Sequence, residues 1–382
     1  MKANYKRLGD YIQQVDARNH DLKVSRLLGL SIEKCFIESI ANTIGTDFKP
    51  YKIVRKGQFA YGPVTSRNGE KITIALLEEP ECIISSSYSV FEIKDTKKLL
   101  PEYLMLWFSR SEFDRYARYK SHGSVREIFD WEEMCRVELP VPSIAEQQKI
   151  VNNYNAITHR IDILQKINEK LEKTAQCLFE KLNKNGDIFE EKSLEEISEA
   201  IICGKTPSTT VKEYWGSDIP FITITDMHGN NFITHTERYL SRTGKESQEK
   251  QTLPTRSICV SCIATVGLVS MTTVVSQTNQ QINSIICGNG ISPYYVFLVL
   301  KGMSEELRRL GAGGSTTLNI SKSLFASIKI SVPPLKLMEH FDKTVKPLFV
   351  QILNNEKEII KLQEFMQGFV SKISMKGGKN VF

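Results

Sequence analysis

The sequence predicts an α+β protein: two α/β domains in pseudo-twofold repeat, separated by two long helices forming an antiparallel coiled coil. Three observations carry this. First, two apolar stripes step by alternating fours and threes. One runs Ile150, Tyr154, Ile157, Ile161, Leu164, Asn168, Leu171, Ala175, Leu178, Leu182, and the other Phe341, Val345, Leu348, Ile352, Asn355, Ile359, Leu362, Met366, Phe369, Ile373. A mean step of 3.5 residues keeps one seam of a helix facing a partner. Second, every member of the second stripe stands 191 residues after its counterpart in the first. Third, the punctuation repeats: "ELPVP" at 138–142 is replayed by "ISVPP" at 330–334, and Gly123-Ser124 by Gly314-Ser315.

The elements follow in order. In residues 1–142, "YKIVRKGQFAYG" and "CIISSSYSVFEI" carry the β-branched and aromatic runs of strands. "LPEYLMLWFSRSEFDRYARY" has helical spacing, with Leu104, Trp107, Phe108 and Tyr116 available to one face. Residues 143–185 form the first long helix. Pro142 ends the preceding strand, Ser143 and Glu146 make a capping box, and Gly186 terminates. Residues 186–334 form the second domain, with "FITITDM" and "SICVSCIATVGLVSM" as strands and "SPYYVFLVLKGMSEELRRL" as its helical stretch. The second long helix covers 335–375, and 376–382 are a C-terminal tail.

Each helix extends about 60 Å at 1.5 Å per residue. Paired antiparallel in full overlap, Ile150 faces Ile373, Leu182 faces Phe341, and Asn168 meets Asn355. An amide pair in an apolar seam costs stability but fixes register, because a slip buries each amide alone. The alternative is two independent amphipathic helices whose asparagines fall on the stripe's edge. A rigid rod between two units also sets a separation, which is how a two-part DNA site with a defined spacer is measured.

Composition bounds the function. The chain has 382 residues, 41% of them hydrophobic, which allows two or three domains with real cores. The net charge of +6 suits a polyanion partner without demanding one. No apolar run follows Met1, and the longest one, Tyr294–Leu300, is too short for a bilayer, so the expectation is a cytoplasmic chain. The eight cysteines include one C-x-x-C, Cys259 and Cys262, without the second pair of a zinc site. They are expected to be reduced and mostly buried, with that pair on opposite strand faces.

Catalytic patterns are missing. Gly204-Lys205-Thr206 imitates a Walker A end, but Glu199 stands where that loop needs glycine. There is no Gly-rich dinucleotide loop, no Asn-Pro-Pro-aromatic stretch, and no H-E-x-x-H among the six histidines. Asp218, Asp226 and Glu237 lack a spacing that forces metal binding. The sequence therefore yields no catalytic or metal-ligand residue.

Several segments together carry a family resemblance: "ICGKTPSTTVKEYWGSDIPFITITDM" (202–227), "SCIATVGLVSM" (261–271), "TNQQINSII" (278–286), "GGSTTLNISKSLFASIKISVPP" (313–334) and "GSVREIFDWEEMCRVELPVPSIAEQQKIV" (123–151). The chain resembles the specificity (S) subunit of type I restriction–modification systems. The first half carries "SSSYSVFEI" where the second has "TNQQINSII". The resemblance implies a non-catalytic protein. Its two target-recognition domains each read half of a bipartite double-stranded DNA site. The paired helices dock two modification (methyltransferase) subunits, and two restriction subunits join in some complexes. S-adenosylmethionine, ATP and magnesium belong to those partners, and the chain itself needs no cofactor. Two rivals stand beside it: a self-contained DNA nuclease or modification enzyme, and a coiled-coil scaffold without DNA binding.

Base edges are read by Arg, Lys, Asn, Gln, Ser and Thr. In the second domain the candidates are Asn279, Gln280 and Gln281 in "TNQQIN", Lys205, Thr206 and Ser208 in the Gly/Pro loop, Thr225, and Ser315 and Thr316 beside Gly313-Gly314. Turn chemistry uses the same residue types as base contact, so either role fits. In the first domain they are Tyr61, Arg67, Asn68 and Lys71 around an expected turn at Asn68-Gly69, and Ser86 with Ser85 and Ser87. The basic stretch 110–127 adds Arg115, Arg118, Lys120 and Arg126, with Arg110, His122, Tyr116 and Tyr119 interleaved. It suits a phosphate-tracking face, or a solvated helix face balanced by Glu112 and Asp114.

Overall fold

A computed structural model describes residues 5–39, 44–66, 69–122, 127–184, 189–312 and 318–373. It divides into two compact units, residues 1–161 with 361–382, and residues 162–360. The division falls inside both long helices, Ile144–Lys184 and Leu335–Lys372.

In the first unit, four antiparallel strands run in the order Ile12–Val15, Ser89–Ile93, Phe59–Tyr61, Ile74–Leu76. The second unit repeats that order with Ser198–Cys203, Ile282–Cys287, Ile258–Ser261, Val269–Thr272, and adds Phe232–Ile233 in parallel at the edge. Each unit also has a two-stranded ribbon whose second strand leads into a long helix: Tyr5–Arg7 with Glu138–Pro140, and Glu190–Ser193 with Lys329–Val332. The units differ in what they add. The first carries the ribbons Leu28–Leu30/Phe36–Glu38 and Lys52–Arg55/Glu81–Ile84. The second carries a three-stranded sheet, Arg238–Leu240, Trp215–Ile222, Gln277–Thr278.

Three expectations are redrawn. The helical stretch after residue 100 is two helices, Pro101–Phe108 and Ser111–Lys120, and its counterpart is also two, Pro293–Gly302 and Ser304–Gly311. "FITITDM" is a strand only to Ile222. Thr223 then caps a short helix, Ile224–Met227, in a capping box with Asp226. The strand expected across Ser257–Ala264 stops at Ser261, and Gly267 supplies a left-handed turn (φ +92°) before the next one.

The cores explain the elements. In the first unit Phe59 and Phe91 stack at 4.9 Å beside Phe108, all fully buried. In the second, Tyr294 stacks on Phe349 of the second long helix at 4.9 Å. Phe349 lies outside the heptad stripe, so this helix presents a second apolar face to its sheet domain. Pro347 sits within the same helix, where it gives up one backbone hydrogen bond.

The first long helix starts as its sequence requires. The Ser143 amide donates to Glu146 Oε2 at 3.1 Å, and the Glu146 amide to Ser143 Oγ at 3.4 Å. In the second unit, Asn355 Nδ2 donates to Asn168 Oδ1 at 2.7 Å, and both residues are buried. Ring contact of Phe179 with Phe341 shows partner numbers falling as the first helix advances, so the segments run antiparallel. In the first unit, Thr158 meets Met366 while Ile150 and Ile373 share one apolar cluster, again antiparallel. Gly186, Gly123-Ser124, Gly314 and the tail 376–382 lie outside the described residues. Among the described residues, no helix is long and apolar enough to cross a membrane.

The cysteines are all free. Cys82, Cys259 and Cys262 are buried, but Cys35 and Cys177 are exposed, so "mostly buried" holds only in part. Cys259 and Cys262 enter different core clusters, as alternation requires. Burial pushes the Cys259 thiol up to about 12 and Cys262 to about 11. Both are therefore protonated, inert side chains.

Candidate nucleic-acid interface

In the second unit, the Gly/Pro loop and the amide turn are joined through the backbone. The Gly204 amide donates to Ile282 O at 3.0 Å, and the Lys205 amide to Thr278 O at 2.9 Å. The approach is so close that a Cβ at Gly204 would lie 2.1 Å from the Asn279 carbonyl oxygen. Glycine is needed here for chain packing, which accounts for the Walker-like triplet without any phosphate. Thr206 Oγ1 then donates to Gln280 Oε1 at 2.7 Å. Four of the expected residues, Lys205, Thr206, Gln280 and Gln281, thus gather around one seam, with Lys205 and Gln280 exposed.

Asn279 requires correction. It is buried, its Oδ1 accepts from the Gln281 amide at 3.1 Å, and its Nδ2 donates to Gln281 Oε1 at 3.0 Å. Its amide builds the turn and has no edge to offer a base. Asn283 is likewise buried, donating to Ile320 O at 3.3 Å. A further amide network underlies the turn: Gln248 Nε2 donates to both Lys205 O and Gln277 Oε1 at 2.8 Å. Gln277 is fully buried, which no local pattern around it signals.

Ser208 is exposed and shares a hydrogen bond with Thr210 at 2.8 Å. Its carbonyl accepts from Trp215 Nε1 at 3.2 Å. Thr225 is exposed at the short capped helix, its hydroxyl 2.8 Å from that of Thr223. Asp226, once a nominal metal acid, spends its carboxylate on the Thr223 cap and the Glu237 amide. Among the described residues, no group of three or more His, Cys, Asp or Glu is placed to hold a metal ion.

The first unit scatters its candidates. Tyr61 also requires correction: it is fully buried between Phe91 and Phe129, and burial drives its hydroxyl well above the usual phenol range. Its strand faces the core on both sides, so alternation did not bring it out. Lys71 is exposed and pairs with Glu33 at 2.9 Å. Ser86 is exposed, between Ser85 and Ser87, whose hydroxyls bond each other at 3.0 Å. On helix Ser111–Lys120, Arg115 is exposed, Arg118 is ion-paired with Glu127, and Lys120 lies 5.9 Å from the Tyr119 ring. Tyr119 itself is 80% exposed.

Two charged residues of this stretch are buried. Arg110 is buried with its guanidinium 3.5 Å from the Trp107 ring centre. Asp114 is buried and accepts from Lys34 Nζ at 2.7 Å and from the Ile72 amide at 3.1 Å. Asp114 therefore anchors the basic helix to the sheet and does not balance its outer charges. Gly69 has φ +62°, as the expected turn requires. Arg67, Asn68, Arg126, Ser315 and Thr316 lie outside the described residues.

Comparison with known proteins identifies the family and the fold. A family model described as the type I restriction modification DNA specificity domain matches residues 47–173 and 187–364. The chain is 30% identical to the specificity subunit of the type I restriction enzyme HindI from Haemophilus influenzae, over 82% of this chain and 84% of that one. It is 30% identical to the MjaIX specificity subunit from Methanocaldococcus jannaschii, over 50% of this chain and 45% of that one. Its fold is similar to the crystal structure of a type I restriction–modification S subunit from M. genitalium. The TM-score is 0.62 at 13% identity, covering 100% of this chain and 97% of that chain.

Proposed function

The chain belongs to the specificity subunits of type I restriction–modification systems, a family that recognises DNA sequence without catalysing, and we propose that it reads a bipartite site, one half per domain. In this reading the antiparallel helices hold the two domains at a set spacing. They dock two modification (methyltransferase) subunits and, in the full complex, two restriction subunits. S-adenosylmethionine, ATP and magnesium are bound by those partners. The complex works in the cytoplasm, where it meets its DNA.

One observation carries the proposal. The two family matches cover three of the four strands of the first sheet and all of the second, two sheets that share one order over four strands and each lead through a ribbon into a long helix. A duplicated reader with divergent additions suits two unlike half-sites, because spacing between half-sites is a geometric property of the protein. The exposed Lys205 and Gln280 in one unit, and Arg115 with Lys120 in the other, provide phosphate- and base-type contacts.

The test is to express the chain with its modification subunit and map methylated adenines across the host genome. Two short specified sequences separated by a fixed gap are expected. A single uninterrupted motif would refute the bipartite reading.

A further inference from the structure

Trp215 is half-buried and held from two sides. It meets the buried Phe221 edge-on at 5.3 Å and 89°, and its Nε1 donates to Ser208 O at 3.2 Å. The Arg238 guanidinium lies over the Trp215 ring, Cζ 3.6 Å from its centre and 5.9 Å from that of Phe221, a height at which only a near-parallel group fits. The backbone fixes it there: Arg238 pairs with Phe221 in the antiparallel register, and Thr236 Oγ1 donates to its carbonyl at 2.8 Å.

The face of the guanidinium is thus occupied while its edge is not. Arg238 is exposed, and among the described residues no hydrogen bond or ion pair uses its guanidinium. All five N–H donors of arginine lie in the guanidinium plane. Stacking on an indole therefore leaves them radiating outward from a plane that the protein has already chosen.

Location favours the same ligand as the loop. Ser208, which holds Trp215, belongs to the loop whose Thr206 binds Gln280. A phosphate accepts hydrogen bonds from many directions and is served by flexible lysines such as Lys205. Guanine O6 and N7 lie in one plane and match a guanidinium edge held at a set angle. We propose that Arg238 is a specificity-determining residue that reads one guanine of the half-site recognised by the second unit, with Trp215 as its positioning residue. This rests on the DNA-reading role proposed above.

The experiment uses the chain assembled with its modification subunits. Genomic methylation motifs and rates on matched duplexes are compared for wild type, Arg238→Gln, Arg238→Lys and Trp215→Phe. Both Arg238 variants should make one G·C position in one half-site degenerate, losing about 10- to 100-fold of discrimination there and leaving the other half-site unchanged. Trp215→Phe keeps an aromatic face but loses the Ser208 bond, and should soften that same position only. An unchanged motif overturns the inference, whether rates fall uniformly and Lys restores them, as for a phosphate contact, or do not fall. Failure of both Arg238 variants to assemble would mark a packing role and also overturn it. A wild type without any two-part motif would instead strike the proposed function, and Arg238 would fall with it.

Discussion

The two units share a sheet order but hold their polar residues differently. In the second, the loop 204–208 and the turn 278–281 are locked by backbone bonds and a glycine with no room for a side chain. In the first, the basic side chains ride on a helix anchored from beneath by Asp114, and their outer ends meet Glu127, Tyr119 or solvent. The difference teaches that one scaffold can present its polar side chains on a rigid edge or on a charged helix face. The first arrangement suits discrimination, and the second suits affinity.

The largest test of this contrast is Gly204→Ala against Gly62→Ala. The first places Cβ on a backbone carbonyl that cannot yield, and should cost about 3 kcal/mol or more of stability in denaturant melts. The second crowds the Thr73 hydroxyl, at 2.5 Å, and otherwise makes ordinary contact with the Tyr88 ring at 3.5 Å, and should cost about 1 kcal/mol. Equal losses would mean that the two units are locked alike.

The helix seam is next. The second unit contains the Asn168–Asn355 layer, whereas the stripe positions of the first unit are apolar or Tyr154. Asn168→Ala leaves the buried Asn355 amide without that partner and should cost about 2 kcal/mol, whereas Asn168→Leu with Asn355→Leu should recover the loss. Disulfide trapping of cysteines placed at 164 and 359, the neighbouring layer of the same register, should then lose its single register in the double variant.

A third test is pH. The Glu356 carboxyl is pushed up to about 8, first by burial and then by Glu172, with Lys301 opposing. The folded value exceeds the unfolded one, so the folded state retains a proton that the unfolded chain releases. Stability therefore falls as pH rises from about 4.5 to about 8. Glu356→Gln should match wild type near pH 4.5 and exceed it by about 2 kcal/mol at pH 8 in urea titrations. A gap that does not widen with pH would place the carboxyl in water.

The smallest effects belong to the charged face. Arg115→Ala and Lys120→Ala should each weaken binding to all duplexes and lower the salt slope by about 1. Arg118→Ala should do less, because Glu127 already claims its charge. Loss confined to one sequence would contradict a phosphate role.

The helices, their caps and the amide register were legible because period, capping and burial act locally along the chain. Which candidate side chains reach the surface was legible only where one chemistry serves one role. Lys205 and Gln280 emerged at the surface, but Asn279 uses the same amide to close its own turn. Tyr61 sits in a strand buried on both faces, where alternation carries no signal. Arg238 has no pattern around it. Its significance comes from Trp215, which lies 23 residues away in sequence and is brought to it by strand pairing.

The most direct test of the two-reader account is to lengthen the gap between the mapped half-sites by several base pairs. Duplexes carrying both intact half-sites are then offered to the assembled modification complex. The account predicts that methylation collapses although neither half-site has changed. Undiminished methylation across the altered gaps would contradict it.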